Sequence, residues 1–154
     1  MVKVRAFKGF LANQEHCARV ISPAYDTLNT EDARAMADGN EMSFLNVNKP
    51  EITLPEDMDP YDDQVYTRGR ENLLHFIERG YLQQDSEERI YIYMQSMGDH
   101  TQYGLIGLAS IDDYENNRIK RHEFTLPKKE ADRTKLTNVQ SANVGPVFLT
   151  FRDK

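Results

Sequence analysis

The chain has 154 residues, 29% of them charged and 39% hydrophobic, the size and composition of one soluble domain that buries roughly 70% of its extended surface. A net charge of −6 and a pI near 5.2 repel a phosphate backbone and exclude general nucleic-acid binding. The lone Cys17 excludes an internal disulfide and a multi-cysteine metal site, and no apolar run reaches signal-peptide or membrane-span length, so a cytoplasmic protein with no membrane partner is expected.

In chain order, Val2, Val4 and Ala6 alternate with Lys3 and Arg5, which predicts a short half-buried strand. In ISPAYDTLNTED, Pro23 holds Ser22 extended, Asn29 or Thr30 caps a short helix over Glu31 to Asp38, and Gly39 closes it. Asn40 to Asp59 holds two prolines and an apolar anchor of Phe44, Leu45 and Val47; it reads as a long ordered loop. The clearest helix starts at Asp59-Pro60, with Asp59 as cap and Pro60 at the first helical position. Tyr61, Val65, Leu73, Phe76 and Ile77 recur on one face, and Gly80 ends it.

RIYIYMQSM alternates Ile90, Ile92 and Met94 with Tyr91 and Tyr93, GDHT turns the chain, and QYGLIGLASIDDY continues as the antiparallel partner. Ile92 is expected to be buried. ENNR makes a second turn, a helical piece follows near Glu130 to Asn138, and GPVFLTF reads as a short buried terminal strand. The fold expected is one α+β domain over residues 1–154, mainly antiparallel sheet with a long amphipathic helix and one or two short helices packed on it.

Chemistry concentrates in KRHEFTLPKKEADR, Lys120 to Arg133. Between Arg118 and Lys135 stand seven cations against three acids, a local surplus that attracts a compact anion although the chain as a whole is acidic. His122 and Glu123 are adjacent, so they diverge on either a strand or a helix. A metalloprotease HExxH needs a second His where Leu126 stands, which excludes that reading. His16, His75 and His100 lack ligand spacing, Gly104 and Gly107 do not make a phosphate loop, and no motif marks a serine or Cys17 as a nucleophile. The two glycines instead suit close packing or a bulge.

Thr125 is placed to cap a helix carrying Pro127 in its first turn, with Lys129, Arg133 and Leu136 along one face and Glu130 near Arg133. Two readings stay open for this stretch. One is a solvated helix laced by ion pairs worth a few tenths of a kcal/mol each. The other makes Glu123 a general base with Lys129 and Arg133 holding a phosphate. Tyr25 and Asp26 of SPAYD are either an Asx turn or a wall of the same pocket.

Taken together, SPAYDTLNTEDA, NEMSFLNVNKPEITLP, DPYDDQVYTRGRENLLHFIERGYL, IYIYMQSM, GLIGLASIDDY, IKRHEFTLPKKEADR and ANVGPVFLTF resemble, in this order, the amino-terminal part of a prokaryotic family catalogued as domain of unknown function 1015, also labelled ParB-like. The likeness runs from about Phe7 to Phe151. Its most specific motif is His122, Glu123 and Thr125 followed by Lys129, Glu130, Asp132 and Arg133.

The resemblance implies a distant relation to the ParB and sulfiredoxin superfamily, whose members include CTP-hydrolysing partition proteins and free-serine kinases. A nucleotide-dependent small-molecule phosphotransferase or nucleotide hydrolase, linked to serine metabolism, is the enzymatic expectation. The alternative is a non-catalytic regulatory or protein-interaction module. In the first case Glu123 is catalytic, His122 orients the ligand, Lys129 and Arg133 bind phosphate, and Tyr25, Asp26, Thr125 and Asp132 form the pocket wall. The expected ligand is a nucleotide with Mg, or another small anion; no metal cage is expected from the protein, and a homo-oligomer is left open. Two departures stand out. Relatives are longer and carry a DGHHR-type segment that this sequence lacks, so a truncated chain with part of a site is expected. Leu136 stands where many relatives have a His.

Overall fold

The computed structural model describes residues 2–122 and 124–151. In chain order the elements are strands β1 (Val4–Arg5) and β2 (Phe10–Ala12), helices α1 (Cys17–Val20), α2 (Thr30–Ala37), α3 (Leu45–Asn48) and α4 (Asp63–Glu78), then strands β3 (Leu82–Gln84), β4 (Tyr91–Met97), β5 (His100–Ile106) and β6 (Leu108–Ala109), and finally helices α5 (Ile111–Glu115) and α6 (Pro127–Gln140). Short 3-10 turns cover Tyr25–Thr27 and Pro50–Thr53. The fold is α+β. Its strands form three two-stranded ladders, β1 with β6, β2 with β3 and β4 with β5. The chain divides into two compact units. A strand unit comprises Met1–Leu11 and Gln84–Thr125, and a helical unit comprises Ala12–Gln83 and Leu126–Lys154.

The helical unit is organised around α4. Its N-cap is Asp62, whose carboxylate accepts from the Gln64 N–H at 2.8 Å. Asp59, the expected cap, instead accepts from the Tyr61 N–H at 2.9 Å and forms the turn before the helix. Val65, Leu73 and Phe76 are buried as the periodicity predicts, with Ile77 packed at their edge. Leu73 and Phe76 meet Val20, Met42, Val47, Tyr81 and Leu82 in one cluster, and a second cluster joins Ala33, Leu45 and Ile52.

Asn29 caps α2 by accepting the Asp32 N–H at 2.7 Å, and Gly39 follows the helix at positive φ, as expected. The expected loop from Asn40 to Asp59 contains α3 and a 3-10 turn. The apolar anchor Leu45 and Val47 is fully buried there, and Arg34 holds the turn by donating to the Ile52 and Leu54 carbonyls at 2.6 and 3.2 Å. Short polar-flanked helices of this kind rest on tertiary contacts more than on propensity.

Helix α6 packs on α4 where Gly69 leaves room: a Cβ at Gly69 would lie 3.0 Å from Leu136 Cδ1, Gln140 Nε2 and Pro50 Cγ. Leu136 is therefore a core residue at this site, 2% exposed. GPVFLTF forms no strand, and Val147, Phe148, Leu149 and Phe151 are exposed.

In the strand unit, β1 pairs antiparallel with β6, and Phe7 exchanges backbone hydrogen bonds with Arg89 at 3.0 and 2.9 Å. Gly107 permits the close approach, since a Cβ there would stand 2.7 Å from Val4 Cγ1; nothing comparable constrains Gly104. The predicted hairpin is present as β4 and β5 in full antiparallel register from Tyr91↔Ile106 to Met97↔His100. Gly98 sits at positive φ in its two-residue loop, as a II′ turn requires of its first central residue. Two expectations fail here. Val4 and Ile92 are exposed, Ile92 at 76%, because alternation sets which face a side chain shares without saying that the face is covered. IDDY leaves the ladder altogether to form α5, where the Ser110 hydroxyl accepts the Asp113 N–H.

Candidate functional site

Pro127 occupies the first helical position of α6, where its missing N–H costs nothing, and the N-cap falls on Leu126, one residue after the expected Thr125. Leu136 and Gln140 turn one face of the helix into the core, and Arg133, one turn earlier than Leu136, is drawn to the same side. There its Nη1 donates to the backbone carbonyl of Asn48 at 3.1 Å. Asn48 ends α3, and the last carbonyls of a helix lack intrahelical partners, so a guanidinium meets both a hydrogen-bond need and a favourable dipole.

Arg133 Nε and Nη2 both donate to Asp132 Oδ2, at 2.9 and 2.7 Å, and the guanidinium lies 4.7 Å over the Tyr25 ring. Tyr25 is held on its 3-10 turn, closed by the Thr27 hydroxyl donating to the Ala24 carbonyl at 2.7 Å. The Tyr66 hydroxyl, from α4, donates to Asp132 Oδ1 at 2.9 Å. Burial first, and this bond to Asp132 second, push the Tyr66 phenol above its ordinary value. Lys135 lies 4.4 Å over the Tyr66 ring and pairs with Asp63.

The structure thus brings Tyr25, Asp132 and Arg133 together, and adds Tyr66 and Asn48, which the sequence reading did not name. Tyr66 was detectable, since positions 66, 69, 73 and 76 continue the buried stripe of α4. Asn48 carried no signal, because it acts through its backbone oxygen. Its side-chain Oδ1 is buried with no hydrogen-bond partner among the described residues, as is Gln140 Oε1. Asp26 and Lys129 are exposed on the same unit. His122 and Thr125 are exposed residues of the strand unit, and Glu123 lies outside the described residues.

A guanidinium has five N–H donors, and Arg133 uses three of them. Among the described residues, one N–H on each terminal nitrogen remains without a partner, on a side chain 32% exposed. The arrangement therefore combines a fixed fork, an aromatic floor and donors able to take an anion. An open cleft of about 800 Å³ in the helical unit is lined by other residues, among them Arg19, Asn40, Asn46, Asn72 and His75. Its amides serve the fold: Asn40 donates to the Arg19 carbonyl, Asn46 to those of Asn40 and Glu41, and Asn72 to that of Asn46.

Among the described residues no three His, Cys, Asp or Glu side chains converge as a metal site requires, and no helix is long and apolar enough to cross a membrane. Comparison with curated proteins and with solved structures yields no significant match. One family model matches residues 4–154, nearly the whole chain, and its description is a protein of unknown function, DUF1015. Three of the segments that carry the likeness, those around Tyr25, Asn48 and Arg133, are the ones that meet at the guanidinium, and the chain belongs to the DUF1015 family.

Proposed function

We propose that the helical unit holds a phosphate on Arg133, and that the chain supplies this part of the site of a nucleotide-dependent small-molecule phosphotransferase or nucleotide hydrolase. The reaction class comes from the likeness to ParB-type and free-serine-kinase relatives, which is a fold-level analogy. What supports the phosphate is the guanidinium itself: Asp132 and the Asn48 carbonyl orient it, Tyr25 backs it, and two donors remain. Lys129, one turn before it and exposed, adds a mobile charge for the same anion. The residues fit a phosphate better than a bare cation. Asp132 is engaged by Tyr66 and Arg133, so magnesium would arrive on the nucleotide, where it neutralises phosphate charge.

Calorimetric titration of Mg·ATP, Mg·CTP, ADP, pyrophosphate and free serine tests the reading, with Arg133→Lys and Lys129→Ala beside the unaltered chain. A nucleotide or pyrophosphate should bind, and Arg133→Lys should weaken it about 10- to 100-fold, the loss expected when a charge-assisted fork becomes a point charge. No binding of any phosphate by a folded sample overturns the proposal.

One observation favours a second reading, a non-catalytic regulatory or interaction module. One donor of Arg133 already braces α6 against α3 through the Asn48 carbonyl, and two more are held by Asp132 on α6 itself. On that reading Arg133→Lys lowers stability and leaves phosphate binding unchanged.

A further inference from the structure

The β4–β5 register sorts the hairpin into two unlike faces. Tyr91, Tyr93, Ile106 and Met97 share one. Its base is held within the strand unit: the Tyr91 ring stands edge-on to Phe7 at 5.2 Å, and the Tyr91 hydroxyl donates to Asp85 at 2.6 Å and accepts the Gly9 N–H at 2.8 Å. The other face pairs Ile92 with Leu105 and Met94 with Tyr103, and ends at the tip in Ser96 opposite Thr101. Its four large side chains are 76%, 76%, 60% and 68% exposed in that order. No charged residue belongs to it, and the only polar pair is satisfied within itself, the Ser96 and Thr101 hydroxyls lying 2.8 Å apart.

A two-stranded ribbon with a bare apolar face is marginal in water and needs a third layer or strand. We propose that a second copy of this chain supplies it, the two hairpins stacking this face against itself about a two-fold axis. Two observations select that occupant. With full side-chain areas of around 200 Å², the exposed part of these residues and of the adjoining Ile90 comes to on the order of 600 Å² per copy, about 1,200 Å² for a pair, the lower edge of specific interfaces. A chain of net charge −6 also repels its own copies, and this face puts no like charges opposite one another when it meets itself.

An interface of this size predicts reversible association in the micromolar range. Sedimentation of the 154-residue chain over a concentration series should show the mass rising from 17.9 kDa towards twice that value. Ile92→Lys with Leu105→Lys should raise the dissociation constant at least about tenfold, since each ammonium would be buried unpaired. Ile111→Lys, equally exposed at 73% but on α5, should leave it unchanged. In the unaltered chain, which needs no variant to fold, amide exchange over residues 90–106 should slow at dimer concentrations. A chain that stays monomeric at every concentration overturns the proposal. So does a dimer that survives the double lysine variant, or one that forms without slowing exchange in the hairpin.

Discussion

Every buried apolar side chain among the described residues lies in the helical unit, while the buried side chain at the centre of the strand unit is a carboxylate, Asp113 at 3% exposure. Asp113 Oδ2 accepts the Lys3 N–H at 2.7 Å and Oδ1 accepts from Arg118 Nη1 at 3.0 Å, while its backbone carbonyl takes the N–H groups of Arg118 and Ile119. One carboxylate thereby ties β1 to the turn after α5. The helical unit is stabilised by area removed from water and tolerates some loss of detail. The strand unit is stabilised by directed bonds, each of which matters and none of which hides apolar surface. That contrast explains why the exposed hairpin belongs to the second unit and the braced guanidinium to the first.

The comparison breaks most visibly at Phe76, 1% exposed at the centre of the larger cluster and in edge contact with the Phe44 and Tyr81 rings. Phe76→Ala should cost about 3 to 5 kcal/mol in chemical denaturation. A loss below about 1 kcal/mol would show that the cluster is not what holds the helical unit.

A smaller effect is expected at Tyr66→Phe, which removes the hydroxyl donated to Asp132 and leaves Arg133 in place. It should cost about 1 kcal/mol. Because the phenol is raised above its ordinary value, it should also stay protonated in a spectroscopic alkaline titration after exposed tyrosines have ionised.

Acid sharpens the contrast. The Lys3 backbone N–H first, and the Arg118 guanidinium after burial's opposing effect, hold the Asp113 carboxyl below the ordinary carboxylate range. Its contribution is therefore complete above the unfolded value, near pH 4, and is lost as pH falls through the lower folded value. Amide exchange as a function of pH should show the strand unit loosening before the helical unit, and Asp113→Asn should loosen it already at neutral pH. Simultaneous loss in both units would erase the distinction.

The smallest effect is expected at Ile92→Ala, which should change stability by less than about 0.5 kcal/mol under conditions where the chain is monomeric. A cost of about 2 kcal/mol there would mean that the hairpin face is covered within one copy.

Local chemistry was legible in the sequence wherever a residue acts on its near neighbours. The Asn29 cap, the glycines closing α2 and α4, the Gly98 turn, the hairpin and the Pro127 start of α6 were all readable, because each rests on backbone geometry within a few positions. The same is true of the α4 stripe, whose period states which side chains share a face. The boundary of α4 moved because Asp59 and Asp62 are both competent caps, and propensity alone does not choose between them.

Partner identity was not legible. Periodicity grouped Ile92 with Met94 and Val65 with Phe76 alike, yet only the second pair has anything packed over it, and that depends on chain segments far away in sequence. Arg133 could be placed on a helical face next to Lys129, but its bonds to the Asn48 carbonyl and its seat on Tyr25 bridge separations of 85 and 108 positions. The sequence by itself determined the family, the α+β class and the short-range geometry. Tertiary structure decided which charges are braced, which apolar faces stay bare and where the buried carboxylate sits, because burial and hydrogen-bond partnership are properties of what the chain brings together.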